Sequence, residues 1–106
     1  MAEIVWTEPA LMDLEQIAEY IAIDKPSAAS NLVIDTFEKV DRLIEFPNSG
    51  RKPSELPKKT PYRELIVGPL RIFYRNNDKK VIVLYVMRSE RLLRQHMLKD
   101  RSDNQS

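Results

Sequence analysis

Two runs of helical periodicity, separated by little more than Asp24-Lys25-Pro26, constrain this 106-residue chain more than any other feature. In the first run Leu11, Leu14, Ile17, Ala18 and Ile21 recur at three- and four-residue steps. That spacing puts them on one face of a helix of about five turns. Thr7 is placed to cap it, with Pro9 in the first turn and Glu8, Asp13 and Glu15 towards the positive end of its dipole. The second run extends from Ser27 to Phe46, with Ala29, Leu32, Val33, Phe37, Val40, Leu43 and Ile44 as apolar positions and Pro47 as its stop. Asp24 is expected to cap this helix, and Pro26 to occupy its first turn. Helices joined by so short a turn lie antiparallel. The rest of the chain must bury the hairpin's apolar stripe.

The rest reads as a sheet. Glu3–Trp6 is a short β-branched and aromatic stretch ahead of the first helix. Residues 47–61 (PNSGRKPSELPKKTP) hold four prolines and four bases against one acid, the composition of a loop. Tyr62–Val67, Leu70–Arg75 and Lys80–Met87 then read as strands, separated by Gly68-Pro69 and by Asn76-Asn77-Asp78-Lys79. Both separators are turn-like, which predicts a three-stranded antiparallel meander. Glu3–Trp6 is expected to join one edge of it, because alone its backbone groups lack partners. Ser89 is expected to cap a short helix through Leu98, with residues 101–106 as a disordered tail. The expected fold is α+β, in the order βααβββ with a short C-terminal helix. An antiparallel sheet packs on the helical hairpin, in one domain over residues 1–100.

Side chains alternate across a sheet, so two-residue turns at Gly68-Pro69 and Asn77-Asp78 would fix the faces. Leu65, Val67, Leu70, Ile72, Tyr74, Val81, Val83 and Tyr85 then face the hairpin, with Arg63 near the rim. The opposite face holds Ile66, Phe73, Ile82, Leu84 and Val86, together with Glu64, Arg71 and Arg75. Such an apolar face marks an interaction surface unless the C-terminal helix folds back over it through Leu92, Leu93 or Met97. A one-residue slip would exchange the two faces.

Charge is sharply divided. Residues 1–47 carry ten acids and three bases, and residues 48–106 carry six acids and fourteen bases, so the halves differ in sign. A dipolar surface of this kind can attract an anionic partner to one side, or be no more than two solvated faces. With no cysteine, the chain has no disulfide framework, thiolate metal site or thiol nucleophile. The acidic N-terminus lacks the pattern of a signal peptide, and no stretch reaches the length of a membrane span. The protein is expected to be cytoplasmic, with no cofactor, metal or membrane partner.

W-T-E-P-A-L-x-D-L-E-x-I-A-x-Y-I in the first helix, F-P-N-S-G-R after the second, Y-R-E-L-I-V-x-x-x-R-I-F-Y-R and V-I-V-L-Y-V-M-R in the strands together carry a resemblance. Across residues 3–98 the chain resembles the RelE/ParE toxins of type II toxin–antitoxin systems, and the ParE-like branch most closely. The resemblance implies a toxin held inactive in a hetero-oligomer by a cognate antitoxin, whose extended C-terminal segment wraps it. A segment that folds on binding can cover a large surface. Ile66, Phe73, Ile82, Leu84 and Val86 are its expected landing place.

RelE-like members cut mRNA on the ribosome. That chemistry needs a base, an acid, and cations for the charge that builds on phosphorus. By resemblance Arg71 matches the family arginine of the middle meander strand, and Arg63 a basic position on the preceding strand. Arg91 adds a further cation, and His96 is the only histidine. Met87 stands where related nucleases often carry a histidine. ParE-like members lack the acid–base pair, and their usual target is DNA gyrase. Binding such a target would use Arg51, Lys52, Lys58 and Lys59 in the loop, with Arg75, Arg88 and Arg94. The expected function is a ParE-like growth inhibitor acting on gyrase. The alternatives are a ribosome-dependent mRNA endoribonuclease or, less favoured, a DNA-nicking nuclease.

Overall fold

The structure, a computed structural model, describes residues 2–77 and 79–103. The strands are β1 (Glu3–Trp6), β2 (Tyr62–Val67), β3 (Leu70–Asn76) and β4 (Lys80–Arg88). The helices are α1 (Glu8–Asp24), α2 (Pro26–Asp41) and α3 (Gln95–Asp103), with a single 3-10 turn at Arg42–Ile44. The sheet order is β1-β4-β3-β2, in which β2, β3 and β4 form the antiparallel meander and β1 pairs parallel with β4. This is the expected α+β architecture.

Thr7 locks β1 to α1. Its hydroxyl accepts from the Ala10 amide at 3.3 Å, closing the helix N-terminus, and donates to the Val83 carbonyl at 2.8 Å, tying that cap to β4. The second cap differs from expectation. Asp24 is the last residue of α1, and Lys25 stands at the N-cap of α2 without a side-chain hydrogen bond. The α1 helix runs on until the fixed φ of Pro26 starts the next one. On the sheet face below the hairpin, Leu14, Val40, Leu43, Leu70, Ile72, Tyr74, Val81 and Val83 form the main core, flanked by the Trp6–Phe37 ring contact at 4.9 Å.

The faces of β4 depart from simple alternation. Tyr74 pairs with Val83 but Phe73 pairs with Tyr85, so Leu84 is an extra residue, a β-bulge. Upstream of it Val81 and Val83 face the hairpin as expected. Downstream the parity reverses: Val86 joins the helix-side core, while Tyr85 packs with the other face. The assignment of Val86 to the outer face and of Tyr85 to the inner one is therefore corrected, because a bulge shifts the period by one residue.

The outer face is not open. Phe73, Leu84 and Met87 form a second buried cluster with Leu56 and Tyr62 from one side and Leu93 and Leu98 from the other. The C-terminal segment folds back over this face and the 47–61 loop covers its flank. The helix there starts at Gln95 rather than near Ser89. Upstream of it, the Arg91 carbonyl and the Leu93 amide are committed to side chains of other segments. The end of α3 also extends past the expected tail boundary: Arg101 and Ser102 lie within it, and Ser102 is buried. Residues 104–106 of the expected tail lie outside the described residues.

Candidate functional site

Arg71 is the centre of the outer face, and its side chain is only 9 % exposed. Its Nε donates to Glu64 Oε1 at 2.8 Å, a diagonal cross-strand contact between β3 and β2. Its Nη1 and Nη2 donate to the two carboxylate oxygens of Glu55, each at 2.7 Å, in a bidentate fork. Nη1 also donates to the Arg91 carbonyl at 3.2 Å, and the guanidinium lies 4.9 Å from the centre of the Phe73 ring. Glu64, buried in the sheet, takes a second cation, Arg51 Nε at 3.1 Å. The Arg71 guanidinium holds the Glu55 carboxyl down at about 2, and the paired carboxylates push the Arg71 pKa further above its ordinary value.

Thus the arginine expected to face a phosphate is occupied by two carboxylates of its own chain. A buried cation must be neutralised, and Glu64 and Glu55 do so from below and from the side. What this network achieves directly is cohesion. It ties the middle of the loop (Glu55), the sheet (Glu64, Arg71) and the segment before α3 (Arg91, Leu93) into one unit.

The turn after α2 is fixed by a second device. Tyr74 reaches from the core so that its hydroxyl donates to the Pro47 carbonyl and accepts from the Gly50 amide, both at 2.9 Å. A Cβ on Gly50 would lie 2.5 Å from that hydroxyl and 2.8 Å from the Glu64 carbonyl, which accounts for glycine in the F-P-N-S-G-R stretch. Arg63, partly buried, donates from Nη1 to the Gly50 carbonyl at 2.8 Å, so this candidate too is engaged with the loop.

The residues from 4 to 93 match the family model described as "ParE toxin of type II toxin-antitoxin system, parDE". The chain belongs to the ParE toxin family. This ParE-family chain is 42 % identical over 86 residues to "Putative toxin Y4kP" of Sinorhizobium fredii (79 % of this chain, 84 % of the relative). It is 38 % identical over 69 residues to "Toxin RelE2" of Caulobacter vibrioides (65 % of this chain, 73 % of the relative). Among solved structures it is similar to one titled "Chromosomal ParDE TA system from P. aeruginosa", with a TM-score of 0.71 and 30 % identity, covering 85 % of this chain and 98 % of that one.

The other candidates of this ParE-family protein are distributed as follows. Arg91 and Arg94 are exposed on the segment between β4 and α3, and His96 is exposed in the first turn of α3. Met87, at the end of β4, is buried in the outer cluster. Lys58 and Lys59 are exposed on the loop, whereas the Lys52 ammonium donates to the Lys58 and Thr60 carbonyls and so shapes that loop from within. Arg88 pairs with Glu90 and lies 6.0 Å from the Tyr20 ring centre, away from Arg71's partners. Arg75, partly buried, lies at the far end of β3 from the Gly68 turn. Of the expected antitoxin-contact residues, Phe73 and Leu84 are wholly buried within this chain, Ile82 is partly buried, and Ile66 is 40 % exposed.

Glu55, Asp13, Arg101, Tyr74 and Gly50 were not among the candidates, although each positions part of the site. Glu55 had one signal, being the single acid of a basic loop. Among the described residues, no three His, Asp or Glu side chains cluster so as to hold a metal ion, and no helix is long and apolar enough to cross a membrane.

Proposed function

We propose that this ParE-family toxin stops growth by binding DNA gyrase and that a cognate antitoxin neutralises it in a hetero-oligomer. The observation that carries the binding mode is the state of Arg71. Four of its hydrogen bonds go to Glu55, Glu64 and Arg91 of the same chain, so it is committed to holding the fold rather than to charge on phosphorus. A gyrase poison needs a complementary surface and no proton-transfer pair. The exposed bases Lys58, Lys59, Arg91 and Arg94 supply that surface on two segments that Arg71 and Glu55 hold together. The neutralising partner is supported by the family and by the similar structure, whose title names a ParDE system.

The test is direct. Purified protein is titrated into a gyrase supercoiling reaction, with ribosome-dependent mRNA cleavage assayed in parallel. Inhibited supercoiling with intact mRNA is expected. Unimpaired gyrase with cut mRNA would replace this reading by the endoribonuclease one. Co-expression of a cognate antitoxin should restore growth.

A further inference from the structure

Three N–H donors converge on the Glu55 carboxylate. Arg71 Nη2 reaches Oε1 at 2.7 Å, and Arg71 Nη1 at 2.7 Å and the Leu93 backbone amide at 3.1 Å both reach Oε2. A guanidinium fork with a backbone amide beside it is the donor set that proteins use to hold a phosphate oxyanion. We infer that the Arg71 fork and the Leu93 amide form a phosphate cradle, and that Glu55 is its internal occupant. Glu55 thereby decides whether this chain can take a phosphate at all. The inference concerns the cradle alone and stands whichever target the toxin engages.

Three observations separate Glu55 from an ordinary structural partner. Glu64, whose side chain is 1 % exposed, holds Arg71 through Nε and is shared with Arg51, so the Nη1–Nη2 edge that Glu55 occupies is a separate anion position on the same guanidinium. Glu55 comes from an irregular loop and its side chain is 20 % exposed, so the cradle has a solvent-facing side. Its surroundings are cationic: Lys58 and Lys59 follow on the same loop, and Arg91 and Arg94 flank Leu93 on the other wall. With Glu55 present, Arg51, Glu64, Arg71 and Glu55 balance to zero charge. Without it the group carries one positive charge, which a phosphate would compensate.

A tethered carboxylate competes at an effective concentration in the millimolar range or above, so the parent protein should resist phosphate. Glu55→Ala should open the cradle without unfolding the chain. Arg71 keeps Glu64, and the loop keeps its apolar anchor Leu56, which is 9 % exposed.

The experiment compares parent, Glu55→Ala and Glu55→Gln in two titrations at constant ionic strength, one with inorganic phosphate and one with a short single-stranded oligonucleotide lacking terminal phosphates. Binding is followed by calorimetry, and the Leu93 amide by nuclear magnetic resonance. Glu55→Ala should bind phosphate saturably and at least about ten-fold more tightly than the parent. The Leu93 amide should shift, and Glu55→Gln should fall between the two. Oligonucleotide binding with the same amide shift would identify a nucleic-acid backbone as a source that fits, and binding of inorganic phosphate alone would restrict the cradle to free or terminal phosphate. A folded Glu55→Ala that binds neither probe overturns the inference. So does binding equal to the parent's, or binding that leaves the Leu93 amide unmoved.

Discussion

Asp13 of α1 and Arg101 of α3 meet across the edge of β4, beyond the point where β1 stops pairing at Val83. Asp13 accepts from the Val86 amide at 3.0 Å, Arg101 donates to the Leu84 carbonyl at 2.9 Å, and the two side chains join in a two-pronged ion pair. Arg101 also lies 3.6 Å from the Tyr85 ring centre. The backbone groups around the bulge are thus satisfied from both layers at once, and α3 is pinned to α1 through the edge they share.

Arg101→Leu should therefore loosen α3 and expose the bulge. We expect a loss of about 1–3 kcal/mol, since Asp13 and the Leu84 carbonyl both lose a charged donor. At about 5 °C per kcal/mol for a domain of this size, the melting temperature should fall by roughly 5–15 °C. Hydrogen exchange should quicken at the Val86 amide more than at the β3 amides. Equal acceleration throughout would show that the pair is not a local pin.

Gly50→Ala should destabilise the protein by about 1–3 kcal/mol through overpacking against Tyr74 and Glu64. Tyr74→Phe should cost about 1 kcal/mol or more by leaving the Gly50 amide and the Pro47 carbonyl without their shared partner. The two losses should not add, because removing the hydroxyl relieves part of the clash. A denaturant-melt double-mutant cycle measures the coupling, and strict additivity would refute this geometry.

The Glu55 carboxyl is held at about 2, below its ordinary 4.5, so its pairing stabilises the fold above the ordinary value and is lost as pH falls through the lower one. The parent should lose stability relative to Glu55→Gln as pH drops from 4.5 to 2. The difference should be about 1 kcal/mol, because Glu55 lies on the solvent-facing side of the pair and its interaction is partly screened. Parallel stability curves for the two proteins across that window would contradict it.

Lys58→Gln with Lys59→Gln should leave stability within about 0.5 kcal/mol, as expected for exposed side chains away from structural contacts. Growth inhibition on induction should weaken, because these lysines belong to the proposed target-binding surface, and unchanged inhibition would remove them from it. His96→Ala, also exposed, should change neither stability nor toxicity. Loss of toxicity with His96→Ala would revive a proton-transfer role.

Much of the fold was legible because short-range rules govern it. The bounds of β2, the Thr7 cap and the helical hairpin follow from side-chain type and spacing. The bulge was not, since Val81 to Met87 is apolar at every position and no polar residue marks which face it belongs to. The late start of α3 was hidden for another reason: the Arg91 carbonyl and the Leu93 amide are claimed by Arg71 and Glu55, partners distant in sequence. Arg71 was visible as a residue, but its chemistry is set by Glu55, sixteen residues away.

The extra residue at Leu84 also changes how substitutions along β4 propagate. Before it, odd-numbered positions report to the helical hairpin; after it, Val86 does so and Tyr85 reports to the layer containing α3. A mutational scan of this strand should therefore show its tolerance pattern jump phase by one residue midway. Deleting Leu84 would erase the jump and bring Val83, Tyr85, Val86 and Met87 into strict alternation, each on the face it already occupies. A strand without this residue would keep the same faces with one residue fewer, so β4 sequences can be exchanged between bulged and unbulged strands only if the extra residue is carried along or left out with them.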